Sequence, residues 1–218
     1  MSFVTLKKEG FSSVTEKKSE FKGYAVRITS EEEAKSVIEE IKKKEKGARH
    51  NVFAYITGGI KRYSDDGEPQ GTGGIPVLSV LEKQGLSDAL IVVTRYFGGI
   101  LLGASGLSRA YGMSAKEAAD DAGKVTVREG ITLALTLPYD VHARISGQLS
   151  EDKIQIIESQ FTHEVKLTLL MQKGMEDDFI SRYKDLTGGR AITEKVSSDL
   201  YFEDEDGNLT AIPGRLYQ

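Results

Sequence analysis

The run Ile131-Thr132-Leu133-Ala134-Leu135-Thr136-Leu137 alternates large apolar side chains with small or hydroxylated ones, the period-two pattern of a half-buried strand. A helix is expected over Val141–Leu149, with Asp140 as its N-cap. Lys153–Phe161 and Val165–Gln172 read as two strands joined at Thr162–Glu164. Asp177–Leu186 reads as a helix stopped by Gly188-Gly189, and Ala191–Val196 as a last strand. The order βαββαβ is that of the split βαβ, or ferredoxin-like, unit. The reading is therefore an α+β fold with a ferredoxin-like domain over residues 130–198. A tight boundary is expected near Arg128–Gly130, and an acidic, turn-rich tail over 199–218.

Upstream, the elements of a first domain over 1–129 are separate. Phe21–Ile28 reads as a strand; Ser30 and Glu33 form a capping box for a helix carrying Ala34, Val37, Ile38 and Ile41, ended by Gly47. Asn51–Thr57 alternates, with Val52, Ala54 and Ile56 on one face and Phe53 and Tyr55 on the other. Ile75–Leu86 reads as a short helix, Ala89–Tyr96 as a strand apolar on both faces, and Leu107–Ala119 as a helix of small residues.

The 218 residues are 39% apolar and 28% charged, with no cysteine and no tryptophan. At roughly 100–200 residues per domain, that length suits one large or two small domains. Zero cysteines removes disulfides, thiolate zinc sites, iron–sulfur clusters and a Cys nucleophile. Apolar runs such as Ala89–Val93 are far short of the ~20 residues that span a bilayer, and Met1–Gly10 has no signal-peptide core. A cytoplasmic protein without membrane contact is expected. The net charge of −4 conceals 20 Lys/Arg against 18 Asp/Glu in residues 1–129 and 9 against 15 beyond. A pI near 5.6 argues against sequence-blind coating of nucleic acid but leaves room for a local basic surface. Lys42, Lys43, Lys44, Lys46 and Arg49 are the one dense cationic stretch.

Twelve of the 23 glycines lie between Gly58 and Gly112, a density that serves backbone geometry. The stretch Arg95-Tyr96-Phe97-Gly98-Gly99-Ile100-Leu101-Leu102-Gly103-Ala104-Ser105-Gly106 leaves a buried strand and enters a helix, an arrangement that aims backbone N–H groups at an anion. Arg95 and Arg109 supply forked donors for phosphate or carboxylate. Tight turns and close helix–sheet packing account for the same glycines. Asp65, Asp66 and Glu68 place three carboxylates within four residues. Three uses fit them: a turn or an ion pair with Arg49 or Arg95, contact with a ligand, or a shared Mg²⁺. His50 beside Arg49 suits either a structural hydrogen bond or the site. No P-loop, dinucleotide fingerprint, nucleophile elbow or His-Glu-x-x-His is present. No cofactor, metal or catalytic residue is assigned.

The strings Ala48-Arg49-His50-Asn51, Ser64-Asp65-Asp66-Gly67-Glu68-Pro69 with Gly71-Thr72, Arg95 through Gly103, Gly106-Leu107 and Ala110-Tyr111-Gly112 resemble the Impact family, within it the bacterial two-domain, YigZ-like branch. The resemblance covers about residues 10–125 closely. It implies a first domain similar to domain 2 of ribosomal protein S5 and a ferredoxin-like second domain, a pair resembling consecutive elongation-factor domains that touch ribosomal RNA. Eukaryotic members, which carry a further N-terminal protein-binding domain, restrain a kinase that shuts down translation initiation.

The leading expectation is thus a non-enzymatic, translation-associated regulator that binds RNA or the ribosome. Arg49, His50, Arg95, Tyr96 and Arg109 would face the partner, and Gly98, Gly99, Gly103 and Gly106 would line the approach to a phosphate. Two alternatives stand beside it. One is an enzyme acting on a small anionic or phosphorylated substrate through Asp65, Asp66 and Glu68. The other is a protein–protein module using the sheet face of the second domain. The first two lean on residues around 49–50, 65–68 and 95–109 meeting in one solvent-open recess.

Overall fold

The computed structural model describes residues 2–152 and 154–213, a mixed α/β chain with two sheets. Two compact units divide at Val125/Thr126, the first beginning at Phe3 and Ser2 grouping with the second.

The first unit carries β1 (Ser2–Leu6), β2 (Gly10–Glu16), β3 (Ser19–Arg27), α1 (Glu31–Lys44), β4 (His50–Thr57), β5 (Ile60–Ser64), α2 (Gly74–Lys83), β6 (Ala89–Tyr96) and α3 (Ala104–Ala122). Its antiparallel sheet has the order β2-β3-β6-β4-β5. The middle strand, β6, is apolar on both sides because both are covered. Ile91 and Val93 pack with Val52 and Ala54 beneath α2 and α3, while Leu90 and Val92 pack with Tyr24 and Tyr55 beneath α1. The period-two reading of β4 holds residue by residue. Helix α1 starts at the expected pair: Glu33 N–H donates to the N-cap Ser30 Oγ at 3.1 Å, while the Glu33 carboxylate reaches one residue further back, to Thr29 N–H at 2.6 Å, rather than to the Ser30 N–H of a full capping box. It ends at Lys44 with Glu45 as C-cap, whose N–H donates to Ile41 O, short of the expected stop at Gly47.

The second unit comprises β7 (Lys124–Leu137), α4 (Tyr139–Glu151), β8 (Gln155–Phe161), β9 (Val165–Gln172), α5 (Glu176–Leu186), β10 (Ile192–Glu203) and β11 (Leu209–Ala211). Its strands run in the order β11-β10-β7-β9-β8, each antiparallel to its neighbour. The odd-numbered residues Ile131–Leu137 of β7 and Val165–Met171 of β9 pack against Val141, Ile145, Phe179 and Tyr183 of the two helices.

The division at Val125/Thr126 lies just ahead of the expected boundary near Arg128–Gly130, and β7 runs unbroken across both positions. Two expectations are corrected here. Residues 199–212 are not a loose tail: β10 and β11 bury Tyr201, Phe202 and Leu209. The N-cap of α4 is Pro138, with Asp140 inside the first turn and paired to Arg190 at 2.8 Å. Lys153 and residues 214–218, parts of two expected segments, lie outside the described residues.

Candidate functional site

The topology of the first sheet carries separate pieces of sequence to one end. Strand β4 starts there, with His50 opposite Arg95. The β2–β3 hairpin turns there at Lys17-Lys18, because Glu16 pairs with Ser19 and Glu20 with Tyr96. The last residue of β5, Ser64, opens the acidic loop at the same end, which leads into α2, and β6 leaves through the glycine loop into α3.

Within this cluster the acids turn inward. Asp65 accepts from Gly71 N–H at 2.8 Å, Gly73 N–H at 2.9 Å and Gly74 N–H at 2.8 Å. It thereby supplies the cap that α2, with glycine at its own N-cap position, lacks. Burial pushes this carboxyl up, but the three backbone donors outweigh it and hold it below the usual range. Asp66 accepts Asn51 N–H at 2.6 Å, and its carbonyl accepts from His50 Nδ1 at 2.8 Å. Since a carbonyl oxygen only accepts, that bond requires a proton on Nδ1. Glu68 is buried. Its Oε1 takes Arg95 at 2.6 Å and the Tyr111 hydroxyl at 2.8 Å, and burial followed by that bond pushes the Tyr111 phenol far up. The three carboxylates therefore serve three different sets of protein donors and do not converge on one point.

Arg95, expected at the surface, is buried instead. Its side chain is 7% exposed, and its guanidinium lies 5.5 Å from the ring centres of both Phe21 and Phe97. Strand alternation explains this: Arg95 continues the core-facing series Ile91, Val93. Tyr96 points to the opposite face and donates to Glu45 at 2.5 Å, which pushes its phenol up to about 12. Glu45 also accepts from Tyr24 and from Lys22 at 3.5 Å. Burial pushes the Glu45 carboxyl up, but these three donors outweigh it and leave it below the usual range.

The glycines divide as well. Gly98 N–H donates to Ser19 Oγ at 3.2 Å, and Gly106 is buried beside Leu102, so neither is open to an anion. Gly99 and Gly103 are exposed at φ of 84° and 73°. Arg49 and Arg109 are exposed, as are Lys17, Lys18, Lys43 and Lys46. The expected residues thus gather at one end without forming the open recess. A groove of about 220 Å³ lies elsewhere, between α1 and the β2–β3 strands, and none of the expected residues lines it.

Sequence reasoning missed Glu45 and Tyr111. Tyr111 is the one aromatic among the buried residues of α3, which apart from Leu107 are alanines, glycine and serine, and that contrast was its available signal.

Asp65→Ala is expected to destabilise the chain by about 1–2 kcal/mol, as for loss of a strong N-cap. Because the folded carboxyl titrates below the unfolded one, its contribution is complete above the unfolded value. It is lost as pH falls through the folded value. Urea midpoints of parent and variant should therefore converge below about pH 4, the ordinary carboxylate range.

Comparison with known proteins identifies relatives. Residues 17–119 match the Impact N-terminal domain. The chain is 36% identical to the IMPACT family member YvyE of Bacillus subtilis over 193 residues, 87% of this chain and 89% of that one. It is 32% identical to YigZ of Escherichia coli, across 79% and 87% of the two chains. A Dictyostelium discoideum IMPACT homolog shares 41% identity over 97 residues, 42% of this chain and 28% of its own. A crystal structure described as a hypothetical protein superposes with a TM-score of 0.60 at 27% identity, covering 90% of this chain and 98% of its own.

Proposed function

Because this chain belongs to the Impact family, we propose that it regulates translation in the cytoplasm without catalysis, by binding RNA or the ribosome through the cationic end of the first sheet. The observation that carries the reading is the sorting of charge there. Glu45, Asp65, Asp66 and Glu68 are committed to protein donors, while Lys17, Lys18, Lys43, Lys46, Arg49 and Arg109 are exposed and make no salt bridge among the described residues. An acidic chain thus presents a local basic surface, and phosphate binding needs only that. The exposed N-terminus of α3 has no acidic residue and no side-chain cap in its first turn, which suits a phosphate beside Arg109. A likeness of the first unit to domain 2 of ribosomal protein S5, and of the second to a ferredoxin-like domain, would support contact with the translation machinery by analogy of fold. No helix among the described residues is long and apolar enough to cross a membrane.

Co-sedimentation with ribosomes across a salt series tests this. Binding should weaken steeply with salt. Arg49→Ala and Arg109→Ala should each weaken it and lower the logarithmic salt slope by about one. Salt-independent binding indifferent to both changes would sink the proposal.

The hairpin gives a sharper case. Lys17 and Lys18 sit at φ of 46° and 65° in a two-residue turn, a geometry that favours Asn-Gly. Lys17→Asn with Lys18→Gly is expected to stabilise by about 1 kcal/mol yet to weaken ribosome binding. Thermal melts and co-sedimentation on the same protein check both signs.

Exposed Ile156, Ile157, Ile192 and Val196 on β8 and β10 favour a second reading, a protein partner at the second sheet. Ribosome association that persists at high salt and is lost in Ile192→Asp would support it.

A further inference from the structure

Resting on the RNA reading, we infer that the first unit recognises unpaired bases, with Phe97 as the stacking platform and Leu101 as a wedge beside it. Three large apolar side chains stand at the surface within five residues: Phe97 is 47% exposed, Ile100 42% and Leu101 83%. They are not loose ends of the core, because the same loop is fastened on both sides of the protruding pair. Gly98 is bonded to Ser19, and Leu102 is buried. The loop holds Ile100 and Leu101 outward at the cost of exposed apolar surface, which marks contact with something else.

Phe97 is pre-set for stacking. The Arg95 guanidinium lies 5.5 Å from its ring centre and is itself fixed by Glu68 and by the Phe21 ring behind it. A ring held in this way loses little freedom when a second flat group joins the stack. The elements carrying Lys17, Lys18, Arg49 and Arg109 meet at the same sheet end and supply the phosphate contacts that accompany base stacking in single-strand binders. Paired RNA hides its bases in a groove that side chains cannot read, so an aromatic platform is useful only where bases are unstacked. The ligand class is therefore single-stranded or looped RNA.

The test uses the full chain and fluorescence anisotropy with a labelled single-stranded oligoribonucleotide and an RNA duplex of equal length. The single strand should bind more tightly. Phe97→Ala should weaken that binding about tenfold and leave the duplex nearly unchanged, with Phe97→Trp restoring it. Leu101→Ala, at a site with little to lose in folding, should show a smaller loss of the same kind. Equal binding of both RNAs, with Arg109→Ala weakening each, would overturn the inference and leave the function standing. Binding of neither RNA would overturn the inference, and absence of ribosome co-sedimentation as well would remove the function. Ribosome association that survives nuclease digestion and still requires Phe97 would assign the patch to a protein partner and overturn the inference.

Discussion

Glu68→Ala is expected to cost about 3–5 kcal/mol, the penalty for leaving one member of a buried ion pair uncompensated. Arg95 has few alternatives. Its Nε is already buried without a hydrogen-bond partner, and its flanks are the rings of Phe21 and Phe97. The loss should appear as a lower urea midpoint for the first unit at unchanged slope. Two controls separate the pair from its packing. Glu68→Gln keeps an acceptor for Tyr111 and should lose less. Glu68→Leu combined with Arg95→Met replaces the pair by apolar volume and should recover most of the stability, since such exchanges are often neutral or better. Recovery in the double variant with impaired RNA binding would show that Arg95 acts on ligand through the Phe97 ring it supports.

The second large effect is expected at Gly98. A Cβ there would stand 2.0 Å from both the carbonyl carbon and oxygen of Lys18 and 2.5 Å from Ser19 N. These are backbone atoms at the tip of a hairpin, so no rotamer relieves the overlap. Gly98→Ala should therefore cost roughly 3 kcal/mol, the upper end of the range for overpacking. Amide resonances of Lys17–Ser19 should shift, because the glycine loop and the hairpin must part. Gly99→Ala is the internal comparison: nothing lies within 4 Å of the added carbon, and only its φ of 84° opposes it. A cost of about 1 kcal/mol is expected there. Similar losses at both positions would mean that backbone conformation, not the close approach, governs the loop.

How much of this was readable in the chain depended on whether neighbours or distant residues decide the outcome. Strands β6 and β9 were legible to the residue, because a run buried on one or both faces writes its period into its own composition. Strand β5, Ile60-Lys61-Arg62-Tyr63-Ser64, was not, since its side chains are exposed or nearly so and it exists through pairing with β4. The acidic stretch 199–206 misled for the same reason: only Tyr201 and Phe202 turn inward, and the partner that makes it a strand lies far away in β7. At the site, the string Arg95–Gly103 announced a constrained loop, and topology brought its companions to it. The direction of Arg95 was available from parity with Ile91 and Val93. Its acidic partner was not, because nothing local links Glu68 to position 95.

The two-lysine turn carries an implication for anyone improving this protein. Selection for heat tolerance or expression alone rewards relief of backbone strain, and the easiest relief lies at Lys17 and Lys18. Hardened variants of that kind would pass every assay of foldedness while shedding the charges the proposed partner needs, so a screen should score ribosome retention and melting together.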